Sequence, residues 1–136
     1  MADIDSCRLL NLPSYHDGRG SLVAIEENGD IPFLAHRIFY IYGVQADAER
    51  GGHAHLSCHQ MLIAVTGTFV VKADDGRQRR EYRLSSPDVG LYIPPPIWRE
   101  LYDFSPGAVC LVLASELYDP EDYCRDYGEF VGTASE

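Results

Sequence analysis

Residues 50–60 read Arg50-Gly51-Gly52-His53-Ala54-His55-Leu56-Ser57-Cys58-His59-Gln60, gathering three imidazoles, an arginine and a glutamine in one short stretch. In a strand, side chains two apart share a face, so His53 and His55 project together while Ala54 points the other way. Two imidazoles on one face are half of a metal site or a proton-handling pair. The glycines before them let the backbone turn and approach a ligand closely. Two ordinary core or surface histidines are the plain alternative. His59 would share that face if the strand ran on unbroken, giving three imidazole ligands. A corner over 56–58 between two strands sends it outward instead, and that is the expectation.

Outward from this stretch the pattern is strongly β. Short runs rich in Val, Ile, Tyr and Phe predict strands over 8–12, 22–26, 36–42, 53–56, 60–66, 68–73, 78–84, 89–93, 97–102 and 109–115. Turn residues at Asp17-Gly18, Glu27-Asn28-Gly29-Asp30, Thr66-Gly67, Asp75-Gly76, Ser85-Ser86-Pro87 and Ser105-Pro106-Gly107 give the even punctuation of a sandwich or barrel. One short helix is expected over 118–127, with Asp119 as N-cap, Pro120 at the first position and Glu121 and Asp122 at the positive helix start. The last five residues are expected to fray.

With 136 residues, 46% of them apolar and 24% charged, the chain suits one domain spanning 1–136, its ordered core running from about 8 to 130. A net charge of −10 argues against nucleic-acid binding, which draws on concentrated Lys and Arg. It leaves room for a small anion held by a few converging arginines, whose planar fork suits phosphate. The cluster Arg77-Gln78-Arg79-Arg80 follows a turn signal and reads as a solvated hairpin shoulder, so the arginines of interest are Arg19, Arg37, Arg50 and Arg99. No apolar run is long enough for a membrane span, and Asp3 and Asp5 stand where a signal peptide wants positive charge, so a soluble cytoplasmic protein is expected. Cys7, Cys58, Cys110 and Cys124 lie far apart and are expected as free thiols.

The spacing of His53, His55 and Gln60, with Gly67 beyond, resembles the first cupin motif, and residues 90–99 (GLYIPPPIWR) resemble the second. Metal cupins normally carry Glu at the Gln60 position and His near the Arg99 position. Gln60 is neutral and Arg99 offers no lone pair, so no metal and no other cofactor is expected. The likeness extends over residues 8–130: DGRGSLVAIEE at 17–27, RIFYIY at 37–42, RGGHAH at 50–55, DVGLYIPP at 88–95, LASELYD at 113–119 and Asp122-Tyr123 are similar to the dTDP-4-dehydro-6-deoxyglucose 3,4-ketoisomerases. That resemblance implies an all-β cupin jelly roll with a short C-terminal helix. It also implies a homodimer, often with an exchanged N-terminal strand, and a dTDP-linked 4-keto-6-deoxy sugar as substrate on the way to a deoxyamino sugar.

Moving a carbonyl from carbon 4 to carbon 3 requires removal of the carbon 3 proton, an enediol, protonation of carbon 4 and a proton transfer between two oxygens. Imidazole accepts and returns protons near neutral pH more readily than any other unperturbed side chain. By resemblance His53 is the base at carbon and His55 the shuttle between oxygens, although the sequence by itself does not order the pair. Arg37 and Arg50 are candidates for the pyrophosphate and Gln60 for a hydroxyl or for orienting a histidine. Tyr40, Tyr92 and Trp98 are candidates for sugar or thymine contacts, with core packing an equal alternative. Arg19 and Arg99 bear on the product: family members leaving a galacto carbon 4 pair Arg with His at these positions, gluco members pair Tyr with Arg, and this chain has Arg at both. The face on which carbon 4 is protonated stays open. Three other classes remain: a 3,5-epimerase, a metal cupin such as a dioxygenase, and a non-catalytic sugar-nucleotide binding module.

Overall fold

The computed structural model describes residues 2–27 and 29–134. Its strands are β1 (Arg8–Asn11), β2 (Ser14–Asp17), β3 (Gly20–Val23), β4 (Arg37–Tyr42), β5 (Arg50–His55), β6 (Gln60–Thr66), β7 (Phe69–Asp74), β8 (Arg79–Leu84), β9 (Val89–Ile93), β10 (Trp98–Tyr102), β11 (Val109–Ala114) and β12 (Tyr123–Cys124); its helix is α1 (Tyr127–Ala134). All pairings are antiparallel. One five-stranded sheet runs β1-β9-β6-β11-β4, a second runs β12-β5-β10-β7-β8, and β2-β3 forms a separate hairpin.

The strict alternation of side chains decides what each face does. Leu62, Leu91, Ile93, Cys110 and Val112 of the first sheet meet Phe69, Val71, Ala73 and Leu101 of the second in one buried core, where Phe69 stacks on Phe104 at 5.0 Å. The alternate residues of the first sheet, Met61, Ile63, Tyr92 and Leu113, face outward against Leu12, Ile31 and Phe33. Those of the second, Ala54 and Trp98, face outward against Phe130 of α1. Truncating a core side chain such as Phe69 to Ala would cost about 3–5 kcal/mol. The four cysteines are free, and burial pushes the thiols of Cys7 up to about 11 and Cys110 up to about 12, so neither is nucleophilic at neutral pH.

Several expected elements move. The helix expected over 118–127 is a 3-10 turn at Pro120–Asp122, capped by Asp119 as anticipated, followed by β12; the α-helix begins only at Tyr127. Tyr123 and Cys124 pair with His55 and Ala54, and that ladder outcompetes helix continuation. The chain is helical up to Ala134 rather than frayed from 132; residues 135 and 136 lie outside the described residues. The strand expected over 22–26 is Gly20–Val23, hairpinned to β2 through the Asp17-Gly18 turn, a strand the polar run Ser14-Tyr15-His16-Asp17 concealed. Order reaches earlier than residue 8, since Ile4 is buried against the core. β1 pairs with β9 of its own chain.

Candidate active site

β5 begins with an irregularity that aims its histidines. Gly51 and Gly52 have φ of +84° and +72°, in the left-handed region that favours glycine. A Cβ on Gly51 would lie 2.9 Å from the Arg99 carbonyl oxygen, so only glycine lets β5 close on β10, where the register shifts between Arg99 and Glu100. The following alternation sends His53 and His55 inward and Ala54 onto α1. His59 does turn outward: its Nδ1 lies 2.8 Å from the Tyr92 hydroxyl, and its ring stacks beside Tyr92 and Phe33.

His53 lines a cavity of about 470 Å³ together with Tyr40, Arg50, Gln60, Arg99, Tyr123 and Arg125. That is the size range of a small-molecule site. Arg99 enters from β10 and is 1% exposed. Its Nη1 donates to Gln60 Oε1 at 2.6 Å, and its Nε and Nη2 donate to the Ile97 carbonyl at 3.3 and 3.1 Å. Burial brings its pKa down to about 10, which leaves it charged at neutral pH.

His55 is 1% exposed and does not itself line the cavity; its ring meets that of His53 edge-on at 4.9 Å. Its Nδ1 donates to Asp122 Oδ2 at 2.9 Å, and Asp122 Oδ1 accepts from the Ser57 amide and hydroxyl at 2.8 and 2.7 Å. Burial raises the Asp122 carboxyl, but the bonds from Ser57 and His55 outweigh it and hold it below the usual carboxylate range. A carboxylate at Nδ1 fixes the tautomer, leaving the buried Nε2 lone pair without a partner. Burial first, then the Arg99 charge, bring His53 down to about 3 and His55 down to about 4, so both rings are neutral near pH 7.

Tyr123 completes the cluster: its ring lies 4.9 Å from that of His53 and 4.5 Å from that of His55, with the Arg125 guanidinium 4.4 Å above it. The sequence reading placed Asp122 at a helix start and Asp122-Tyr123 within the family resemblance, but named neither these nor Arg125 as site residues, because a helix was expected there. Period-two spacing of Tyr123 and Arg125 was the available signal.

The other expected residues are placed differently. Tyr92 follows Leu91 and precedes Ile93, both inward, so parity turns it to the outer face. Trp98 precedes the inward Arg99 and lies against Tyr127 and Phe130, its Nε1 donating to Glu100. Neither reaches the cavity. Arg19 sits on the β2-β3 hairpin, 92% exposed and paired with Asp17. Arg37 stands beside the cavity, over the rings of Phe39 and Tyr118. Tyr40 is 62% exposed and contributes only to the rim.

A cupin dication bound by His53 would face the buried guanidinium of Arg99 and find Gln60 already accepting from it, so the cavity's donor set does not fit a metal. Among the described residues, His55, Cys58 and Asp122 have ligating atoms within 4.8 Å of one another, but Asp122 is already committed to His55 and Ser57. No helix among the described residues is long and apolar enough to cross a membrane.

A family model described as FdtA, WxcM-like, C-terminal, matches residues 5–135. The chain belongs to the FdtA family. It is 46% identical over 123 residues to a TDP-4-oxo-6-deoxy-alpha-D-glucose-3,4-oxoisomerase of Aneurinibacillus thermoaerophilus, covering 90% of this chain and 88% of that one. A histidine mutant of the 3,4-ketoisomerase QdtA from Thermoanaerobacterium thermosaccharolyticum, solved in complex with TDP-4-keto-6-deoxyglucose, superposes with a TM-score of 0.93 at 40% identity, covering 95% of this chain and 94% of that one. A dTDP-4-dehydrorhamnose 3,5-epimerase of Bacillus anthracis shares the fold alone, with a TM-score of 0.77 at 17% identity over 90% of this chain and 79% of that one. The FdtA-family chain is thus an all-β protein of the cupin-like kind with one short C-terminal helix.

Proposed function

We propose that this chain is an isomerase that moves the carbonyl of dTDP-4-dehydro-6-deoxyglucose from carbon 4 to carbon 3 through an enediol, using its own side chains and no metal. The observation that carries this reading is a neutral imidazole, His53, opening into the same cavity as the permanently charged, fully buried Arg99. Kinship with 3,4-ketoisomerases supports the substrate.

In this reading His53 takes the proton from carbon 3 and returns it to carbon 4. Arg99 stabilises the enediolate oxygen, with a charge that needs no reorganisation because Gln60 and the Ile97 carbonyl hold it in place. His53 is neutral before substrate arrives, and the negative diphosphate raises its proton affinity on binding, offsetting the field of Arg99. Asp122 orients His55, whose ring backs His53. Arg50, with Arg37 beside it, is the candidate for the diphosphate. A cytoplasmic location is part of the proposal, and so is a homodimer, the latter supported by Ile38, Tyr40 and Tyr42, which the outer face of β4 leaves 65%, 62% and 71% exposed.

A 3,5-epimerase is the second reading, favoured by one observation: a His–Asp pair with a tyrosine beside it. Incubation with dTDP-4-dehydro-6-deoxyglucose in deuterated water, followed by NMR, separates the two. A 3-keto product without deuterium at carbon 5 is expected; deuterium at carbon 5 with the carbonyl still at carbon 4 would establish the epimerase, and binding without turnover a non-catalytic module.

A further inference from the structure

The Nδ1 of His55 donates to Asp122 Oδ2, while its buried Nε2 keeps a lone pair with no partner, so Nε2 is the atom able to take a proton and give it back. How strongly Asp122 accepts at Nδ1 sets how basic Nε2 is. Asp122 in turn is gripped by the corner between β5 and β6. The Leu56 amide donates to the Asp122 carbonyl at 2.8 Å, and the Ser57 amide and hydroxyl both donate to Oδ1, which leaves Oδ2 to His55. Burial raises the Asp122 carboxyl, and among the bonds that lower it the one from the Ser57 hydroxyl contributes most. That hydroxyl has a second acceptor: Glu116 Oε2 lies 3.0 Å from it, just beyond the end of β11. The two segments are tied together, the Ser115 amide donating to the His59 carbonyl at 2.9 Å and the His59 amide to Ser115 Oγ at 2.8 Å. A hydroxyl carries one proton, so Asp122 and Glu116 compete for it. When Glu116 takes it, Asp122 loses a donor, Oδ2 becomes a better acceptor and His55 becomes more basic. A line of hydrogen bonds thus runs from the half-buried Glu116 to a ring that is 1% exposed.

We propose that Ser57 is a further positioning residue for the reaction: it holds Asp122 so that Oδ2 stays on His55 Nδ1, and Glu116, drawing on the same hydroxyl proton, tunes how strongly Asp122 accepts from His55; this rests on the ketoisomerase reading above. Neither side chain touches the sugar. Isomerisation carries a proton between two oxygens as well as between two carbons, and a ring that does so must release the proton as readily as it takes it. An Asp122 without the Ser57 hydroxyl would be held at Oδ1 by the amide alone and would pull harder on His55, so the ring would keep its proton too well. An Asp122 without competition from Glu116 would pull less.

The test compares Ser57→Ala, Ser57→Thr and Glu116→Gln with the wild type by NMR of the His55 Nδ1 proton at neutral pH and by assay with dTDP-4-dehydro-6-deoxyglucose. Ser57→Ala should move the Nδ1 proton resonance downfield, as a stronger bond to Asp122 requires, and Glu116→Gln should move it upfield. In turnover, Ser57→Ala should lose roughly tenfold in kcat with dTDP affinity kept, and Ser57→Thr, which restores the hydroxyl, should recover both the resonance and the rate. Opposite shifts from two substitutions at the ends of one hydrogen-bonded line are not expected from a loss of packing. Shifts in the same direction, an unmoved resonance in Ser57→Ala, or a Thr variant no better than the Ala variant overturns the proposal. Should Ser57→Ala fail to fold, Glu116→Gln decides alone, an unmoved resonance counting against the line. Failure of the wild type to form the 3-keto sugar would instead sink the ketoisomerase reading, while the resonances would still report whether Ser57 and Glu116 govern the Asp122–His55 bond.

Discussion

Arg99 Nη1 and Gln60 Oε1 are 2.6 Å apart, and both side chains are buried. A carboxylate at position 60 would form an ion pair with the guanidinium and cancel the charge offered to the enediolate, whereas glutamine holds the arginine without neutralising it. Gln60→Glu should therefore fold and bind dTDP while losing roughly tenfold or more in kcat. Steady-state kinetics beside calorimetric dTDP binding check this, and an unchanged kcat would remove Arg99 from the reacting end of the cavity.

Asp122→Asn should separate orientation from packing. The Ser57 amide and hydroxyl both need an acceptor at Oδ1, so the new amide nitrogen would face His55 Nδ1 and reverse its tautomer. A rate loss of about a hundredfold with dTDP affinity retained is the expected result. Heteronuclear NMR of the ring nitrogens should report the changed tautomer, a signature that loss of packing alone would not produce.

The parity of β5 was legible in sequence, and with it the shared inward aim of His53 and His55, while Gln60 and Arg99 came only from the resemblance to the two cupin motifs. Applied further, the same parity would have turned Tyr92 and Trp98 away, since each is flanked by residues that must face in. Asp122 and Tyr123 were hidden for a different reason. Residues 119–122 carry every local sign of a helix start, and the 3-10 turn honours them; a non-local ladder to His55 and Ala54 then overrides propensity. The His55–Asp122 bond joins residues 67 apart in the chain, and no local spacing announces such a contact.

Metal removal should leave the rate unchanged. The cavity sets a buried cation and a glutamine where a metal cupin has its third and fourth ligands. Dialysis against chelator followed by assay tests this; loss of activity restored by a single divalent ion would sink the reading.

His53→Asn should cut turnover by a hundredfold or more while dTDP binding and the thermal midpoint stay near wild type, because the ring moves a proton and its Nδ1 makes no hydrogen bond in the fold. Retention of more than about a tenth of the rate would contradict its assignment as the carbon base.

The two depressed imidazoles also make stability depend on pH, with a definite sign. In the unfolded chain each titrates near 6.5, while in the folded protein burial and then the Arg99 charge hold His53 at about 3 and His55 at about 4. Above 6.5 both states are neutral and stability is full. As pH falls below 6.5 the unfolded chain binds protons that the native state refuses, so stability drops by up to about 1.4 kcal/mol per pH unit for each ring, until the native rings protonate near 4 and 3. Partial exposure of His53 makes its share the smaller. Urea midpoints at pH 7.5, 6 and 5 should fall steadily, and His53→Asn should flatten the fall by removing one of the two titrations. A midpoint that stays level from 7.5 to 5 in the wild type, or a slope unaltered in the variant, would show that these rings are not held neutral by the fold.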